Sequence, residues 1–217
     1  MAFVNRSDGG RQLAEALSGY RGRHPVVLAL PRGGAPVAAE IAARLDAPLD
    51  LILVRKIGAP MQPELAMAAV VDGAAPIIVR NEDVIRFAGV TDAQFDAACT
   101  RELAEIDRRR ALYLGGRARA RIEGNTVIVV DDGVATGATV KAALRAVRMR
   151  KPKELVLAIC VAPAEAVDEL RREVDALVCL ETPEPFLAVG ASFRDFRQTT
   201  DEEVIALLAQ FPVRAGT

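Results

Sequence analysis

Apolar residues along the chain fall into two alternating arrangements. Short unbroken runs at 26–30, 51–54, 127–130, 155–161 and 176–180 have the length of buried strands. Between them, apolar residues recur every three or four positions. Leu13, Ala16 and Leu17 share one face of a helix expected over 9–20, and Val140, Leu144 and Val147 form the inner stripe of another that ends near Arg150. Further helices are expected over about 36–45, 163–173 and 201–210. Strand-length runs alternating with helical stripes predict an α/β fold, a mainly parallel sheet with helices on both faces. In such sheets ligands bind beyond the carboxyl ends of the strands, which singles out the segments after Leu30, Val54, Val130 and Val161.

Two regions depart from the alternation. Residues 57–76 carry Gly58, Pro60, Pro63, Gly73 and Pro76, which predicts a loop holding a short strand near 68–71, followed by a strand at 77–79. Residues 81–88 are helical in pattern. Thr91 is placed to cap a long helix reaching about Leu114, with Phe95, Ala98, Cys99, Leu103, Ile106 and Leu112 as its apolar positions. Arg108, Arg109 and Arg110 crowd its end, Gly115 and Gly116 stop it, and Arg117, Arg119 and Arg121 follow. These arginines read as a solvated helix end. The tail from 182 to 199 is irregular and carries Phe186, Phe193 and Phe196. The chain reads as a single domain over 1–217, with a helical insertion over about 81–121 and a C-terminal segment over about 182–217.

Composition narrows the chemistry. Of 217 residues, 51% are hydrophobic and 26% charged, which excludes a disordered or fibrous chain. Lys and Arg number 28 against 29 for Asp and Glu, a net charge of -1, so no chain-wide grip on nucleic acid or an anionic membrane is expected. No apolar run reaches the roughly 18–20 residues of a membrane helix. Residues 1–10 lack a basic region followed by an apolar stretch, so the cytoplasm is the expected compartment. Cys99, Cys160 and Cys179 are far apart and read as small buried hydrophobes. The single histidine, His24, reads as a loop residue; without a G-x-S-x-G elbow or an H-E-x-x-H helix, triad and zinc hydrolysis are closed off.

The segment 127–139 is the most informative: Val127-Ile128-Val129-Val130, then Asp131-Asp132, then Gly133-Val134-Ala135-Thr136-Gly137-Ala138-Thr139. A strand runs into two carboxylates, and a loop of small and hydroxyl residues then opens a helix. Free N–H groups at a helix N-terminus favour an anion, and small residues let a phosphate approach the backbone closely. Thr136 and Thr139 add hydroxyl donors. No lysine stands where a Walker loop needs one. The pattern is a phosphate cradle preceded by two acceptors suited to sugar hydroxyls.

These thirteen residues resemble the phosphoribosyl pyrophosphate (PRPP) motif of the type I phosphoribosyltransferases. The resemblance implies that Asp131 and Asp132 bind the ribose hydroxyls and act in catalysis. It places the 5-phosphate on Val134, Ala135, Thr136, Gly137, Ala138 and Thr139. In the family a loop after the first core strand holds pyrophosphate; Pro31-Arg32-Gly33-Gly34 matches it, giving Arg32, Gly33 and Gly34 that role. Arg55-Lys56 looks like the Arg-Lys pair of adenine phosphoribosyltransferases, at the end of the next strand, with Lys56 as the better pyrophosphate contact and a catalytic aid. Residues 58–69 sit where the family has its mobile catalytic loop. Glu64 is the one carboxylate there, a candidate catalytic residue with a loop-anchoring or solvated position as its other readings.

The resemblance further implies Mg²⁺, carried mainly by PRPP with help from Asp131 and Asp132, and a homodimer. The expected reaction is transfer of the phosphoribosyl group from PRPP to a small-molecule acceptor, a nitrogenous base, with release of pyrophosphate. Ala135 stands where hypoxanthine-guanine enzymes usually carry an Asp, which points to an adenine- or xanthine-type loop. The insertion and the tail are the candidate covers for the base. The alternative is a regulatory relative that senses PRPP without turnover and binds nucleic acid through Arg108–Arg121 and Lys141–Lys153; the near-zero net charge argues against it.

Overall fold

Strands β1 (Val26–Ala29), β2 (Leu49–Leu51), β6 (Thr126–Gly133), β7 (Glu154–Val161) and β8 (Ala176–Glu181) pair in parallel in the order β2-β1-β6-β7-β8. The structure is a computed structural model that describes residues 2–73 and 76–213, except the side chains of Pro63 and Glu64. The α/β reading of the hydrophobic pattern therefore holds. Side chains alternate across the sheet: Val127 and Val129 join one apolar cluster, Ile128 and Val130 the other, and all four are completely buried. Burial on both faces explains the unbroken apolar runs.

On one face lie α1 (Arg6–Ala16), α2 (Gly34–Leu45) and α7 (Asp201–Ala209); on the other lie α5 (Ala138–Met149) and α6 (Ala164–Arg171). The first helix starts earlier than its apolar spacing suggested. Asn5 caps it by accepting the Asp8 amide at 2.9 Å, and it ends at Ala16, before a short 3₁₀ turn. That early start places Arg6 at the carboxyl edge of the sheet.

The segment expected as a loop is instead a hairpin. Strands β3 (Val54–Ala59) and β4 (Gln62–Val71) pair antiparallel, and β5 (Ile77–Arg80) adds a third strand. Gly58 falls at a register shift and Pro60 in the two-residue turn, the positions where a hairpin tolerates them. The run at 51–54 also conceals a change of sheet. The core strand ends at Leu51, Ile52 and Leu53 remain buried, and Arg55 and Lys56 lie near the start of the hairpin rather than at the end of a core strand.

Helices α3 (Glu82–Phe87) and α4 (Asp92–Leu114) cover this small sheet, with Phe95, Cys99 and Ile106 meeting Ile57, Met67 and Val70 in a separate apolar cluster. Thr91 caps α4 as expected: its hydroxyl accepts the Gln94 amide at 3.3 Å and Gln94 Oε1 accepts the Thr91 amide at 3.0 Å. Cys99 and Cys160 are buried; Cys179 is half-buried.

Candidate active site

Parallel pairing of β1 with β6 aligns Ala29 with Val130, so the loops that follow the two strands lie side by side. The Leu30 amide donates to the Val130 carbonyl at 2.9 Å. A Cβ on Gly34 would stand 2.6 Å from that same oxygen, and one on Gly33 would strike the Asp132 carboxylate. Only glycines allow this approach. The Pro31–Arg32 peptide between the loops is cis.

Asp131 and Asp132 end the strand in unlike surroundings. Asp131 Oδ1 accepts the Asp132 amide at 2.9 Å, and no cation reaches ion-pair distance of it among the described residues. Burial, and then the adjacent Asp132 charge, push its carboxyl well above the ordinary range. Asp132 Oδ2 accepts a bond from Arg6 Nε at 2.7 Å. The Arg6 guanidinium also lies 3.9 Å from the Phe196 ring centre and donates to the Arg197 carbonyl at 2.6 Å. Arg6 had no local motif to mark it.

The loop after the acids opens α5 without a side-chain cap, and Gly137 takes a left-handed conformation at φ 75°. The first-turn N–H groups thus have no acceptor within the helix. Ala135, Thr136, Ala138 and Thr139 are exposed. Val134 differs: it is buried, and its amide donates to the Val161 carbonyl at 2.9 Å, so the open donors begin after it.

On the other side of the acids, a cavity of about 70 Å³ is lined by Pro31, Leu53, Arg55, Arg109, Asp131 and Thr139. Arg109 comes from the helical insertion and was not anticipated. Lys56 lines a wider cleft of about 380 Å³ with Thr139, Lys141 and Arg80. Arg32 lies 3.5 Å from Asp201 at the start of α7, where the Tyr113 hydroxyl also donates to Asp201 at 2.6 Å. Burial and that bond push Tyr113 up to about 12. The Glu64 side chain lies outside the described residues.

Comparison with known proteins agrees with this geometry. The family model for the phosphoribosyl transferase domain matches residues 5–191. The chain belongs to the phosphoribosyl transferase family. A Mycobacterium tuberculosis (H37Rv) protein provisionally named as a phosphoribosyl transferase is 45% identical over 206 residues, 95% of this chain and 46% of that protein. The chain thus spans about half the length of the curated relatives it matches. The crystal structure of TT1426 from Thermus thermophilus superposes with a TM-score of 0.86 at 40% identity, over 98% of this chain and 100% of that one.

Within this phosphoribosyl transferase fold, Arg108 and Arg121 are exposed, as a solvated helix end requires, but Arg110, Arg117 and Arg119 are not. Arg110 and Arg119 both bond the completely buried Asp72, Arg119 at 2.8 Å, and Arg119 lies 3.4 Å from buried Asp50. Arg117 donates to the carbonyls of Leu49, Leu208 and Phe211. Lys141, Arg145 and Arg148 pair with Glu169, Glu173 and Asp175. Much of the charge that the regulatory alternative needs is thus paired within the chain, while Arg121, Lys151 and Lys153 are exposed. In the tail, Phe193 is buried beside Phe3, while Phe196 stacks on Phe193 and lies against the Arg6 guanidinium.

Among the described residues, no three His, Cys, Asp or Glu side chains gather to hold a metal ion. Asp131 and Asp132 are the carboxylates that would adjoin a family Mg²⁺ carried by the substrate, and Asp131 has no ion-pair partner of its own among the described residues. No helix among the described residues is long and apolar enough to cross a membrane.

Proposed function

We propose that this chain transfers the phosphoribosyl group of PRPP to a ring nitrogen of a purine-like base and releases pyrophosphate. The observation that carries the reading is the pairing of two acids at the end of β6 with an uncapped, hydroxyl-flanked helix start a few residues on. Asp131 and Asp132 accept the ribose 2- and 3-hydroxyls, and the N–H groups and hydroxyls of 135–139 hold the 5-phosphate. The bond from ribose C1 to the pyrophosphate oxygen breaks, the bond from C1 to the acceptor nitrogen forms, and the acceptor N–H proton leaves to solvent. A Mg²⁺ ion carried by the substrate, with Asp131 and Asp132 as its nearest carboxylates, would supply neutralisation of leaving-group charge. The chain's part is positioning and electrostatic stabilisation of a cationic sugar. Lys56 lies beside Thr139 in the wider cleft, on the leaving-group side in this reading. Ala135 in place of an acid favours an acceptor other than hypoxanthine or guanine.

Thermal denaturation with Mg-PRPP tests this directly. A ligand at 100 times its Kd adds about 2.7 kcal/mol. For a chain of this size that is a midpoint rise of about 5–10 °C. A panel of nitrogenous bases then reads pyrophosphate release. No shift with either PRPP or ribose 5-phosphate overturns the site; a shift with no release on any base turns the reading to a PRPP sensor.

A further inference from the structure

This inference rests on the phosphoribosyl-transfer reading and concerns the far side of Asp131, where two arginines from different elements line one small cavity. Arg55, from the hairpin, donates through Nε to Glu102 Oε2 at 2.8 Å. Arg109, from α4, donates through Nε to Glu105 Oε1 at 2.7 Å. Both glutamates stand on α4 three residues apart, so one helix face anchors both guanidinium groups.

A guanidinium carries five N–H donors in a planar fork. Anchoring by Nε alone leaves the Nη groups of Arg55 and Arg109 without an acceptor among the described residues. Arg108 is the contrast. It gives both Nε and Nη2 to Glu105 and lies largely exposed, outside the cavity. Arg32, the residue of the neighbouring loop, is turned to Asp201. The cationic lining of this cavity is therefore Arg55 and Arg109, held in place with open forks beside Asp131 and Thr139.

We propose that Arg109 binds the diphosphate group, both of PRPP and of the pyrophosphate product, together with Arg55, and that the α4 insertion is part of the active site for that reason. Planar forks with free Nη pairs match phosphoryl oxygens bidentately, and anchored side chains lose little further freedom on binding. The cavity holds roughly two waters as it stands, and a diphosphate that enters displaces them. The 5-phosphate cradle lies at the start of α5 and does not involve α4. Arg109 thus distinguishes ligands with a diphosphate from those without one.

The experiment compares inorganic pyrophosphate, Mg-PRPP and ribose 5-phosphate by calorimetric titration of the whole chain. Arg109→Gln is expected to weaken pyrophosphate and PRPP about 10- to 100-fold, the scale of hydrogen bonds to a charged group. Ribose 5-phosphate stays within about twofold, and Arg109→Lys, with charge but no fork, recovers part of the loss. Arg108→Gln leaves all three ligands unchanged. Wild-type affinity for pyrophosphate in Arg109→Gln overturns the proposal alone. So does an equal loss of all three ligands, which marks a structural role. A wild-type chain that binds none of the three overturns the phosphoribosyl reading and this proposal with it.

Discussion

Arg6 and Asp132 are 126 positions apart in sequence, yet the Arg6 Nε donates to Asp132 Oδ2 at 2.7 Å, with both side chains nearly buried. The cap at Asn5 sets the start of α1, and that start brings the guanidinium to the end of β6. Phe196 closes the other side of the guanidinium at 3.9 Å. One carboxylate of the acidic pair therefore has a resident cation, and its neighbour Asp131 does not.

Removing that cation leaves a buried carboxylate beside a second one. Breaking a buried pair from one side costs about 3–5 kcal/mol when burial is complete; the residual exposure here lowers the expectation to about 1–3 kcal/mol for Arg6→Gln. Urea unfolding of the wild type and Arg6→Gln checks it, and an unchanged unfolding midpoint contradicts the ion-pair account.

Asp131 and Asp132 are expected to respond oppositely to the same change. Burial and the Asp132 charge hold the Asp131 carboxyl above its unfolded value. Such a group favours the folded state only while protonated, so its contribution falls as pH rises from the unfolded value through the folded one. Asp131→Asn removes that cost and keeps an acceptor for the Asp132 amide, so the variant is more stable than the wild type at pH 7 and loses its advantage in acid. Asp132→Asn strips Arg6 of its partner and is less stable. Both weaken PRPP, because a charge-assisted bond to a hydroxyl is replaced by a neutral one. Melting temperatures across pH, with PRPP titrations, separate the two residues.

The arginine network below the site makes a different kind of prediction. Asp72 is completely buried and takes Arg110 and Arg119. Asp72→Ala removes the acceptor that Arg110 and Arg119 share; because both guanidinium groups are about a third exposed and Arg119 keeps Asp50, the expected destabilisation is about 1–3 kcal/mol. If the same arginines served a polyanion at the surface, the variant would keep its unfolding midpoint and change only its binding to nucleic acid.

Much of the frame is legible in the residues themselves. The strands read as apolar runs because both sheet faces are covered, and Thr91 reads as a cap because its chemistry is local. The cradle is legible for the same reason: two acids, two threonines and two glycines lie within nine residues of chain, from the end of β6 into the start of α5. The hairpin was hidden because Gly58 and Pro60, which end most elements, occupy a bulge and a turn. Arg6 and Arg109 were illegible because each reaches the acids from a distant element, through helix starts and packing that no local spacing encodes. The arginine cluster misled because charge counts do not reveal a buried Asp72.

The cradle supports the most direct test of ligand contact. Thr136 and Thr139 are exposed, and no hydrogen bond engages their hydroxyls among the described residues. Thr136→Val and Thr139→Val keep the shape and the backbone N–H groups and remove only a donor, so the fold is unaffected. Bonds to a charged group contribute about 1.5–3 kcal/mol. Each variant is expected to bind PRPP and ribose 5-phosphate roughly 10- to 100-fold more weakly; Thr136→Val leaves pyrophosphate alone unchanged, whereas Thr139 also lines the Arg55–Arg109 cavity. The Thr136→Val pattern is the converse of that expected for Arg109. Gly137 should tolerate less than either threonine. Its φ of 75° disfavours any side chain, and a Cβ there faces Leu170 at 3.7 Å, so the cost of a substitution is backbone strain in the loop that shapes the cradle. Gly137→Val is expected to lose binding of both phosphorylated sugars beyond measurement. Titration of the three variants with ribose 5-phosphate decides the matter: unchanged affinity in all of them moves the 5-phosphate elsewhere.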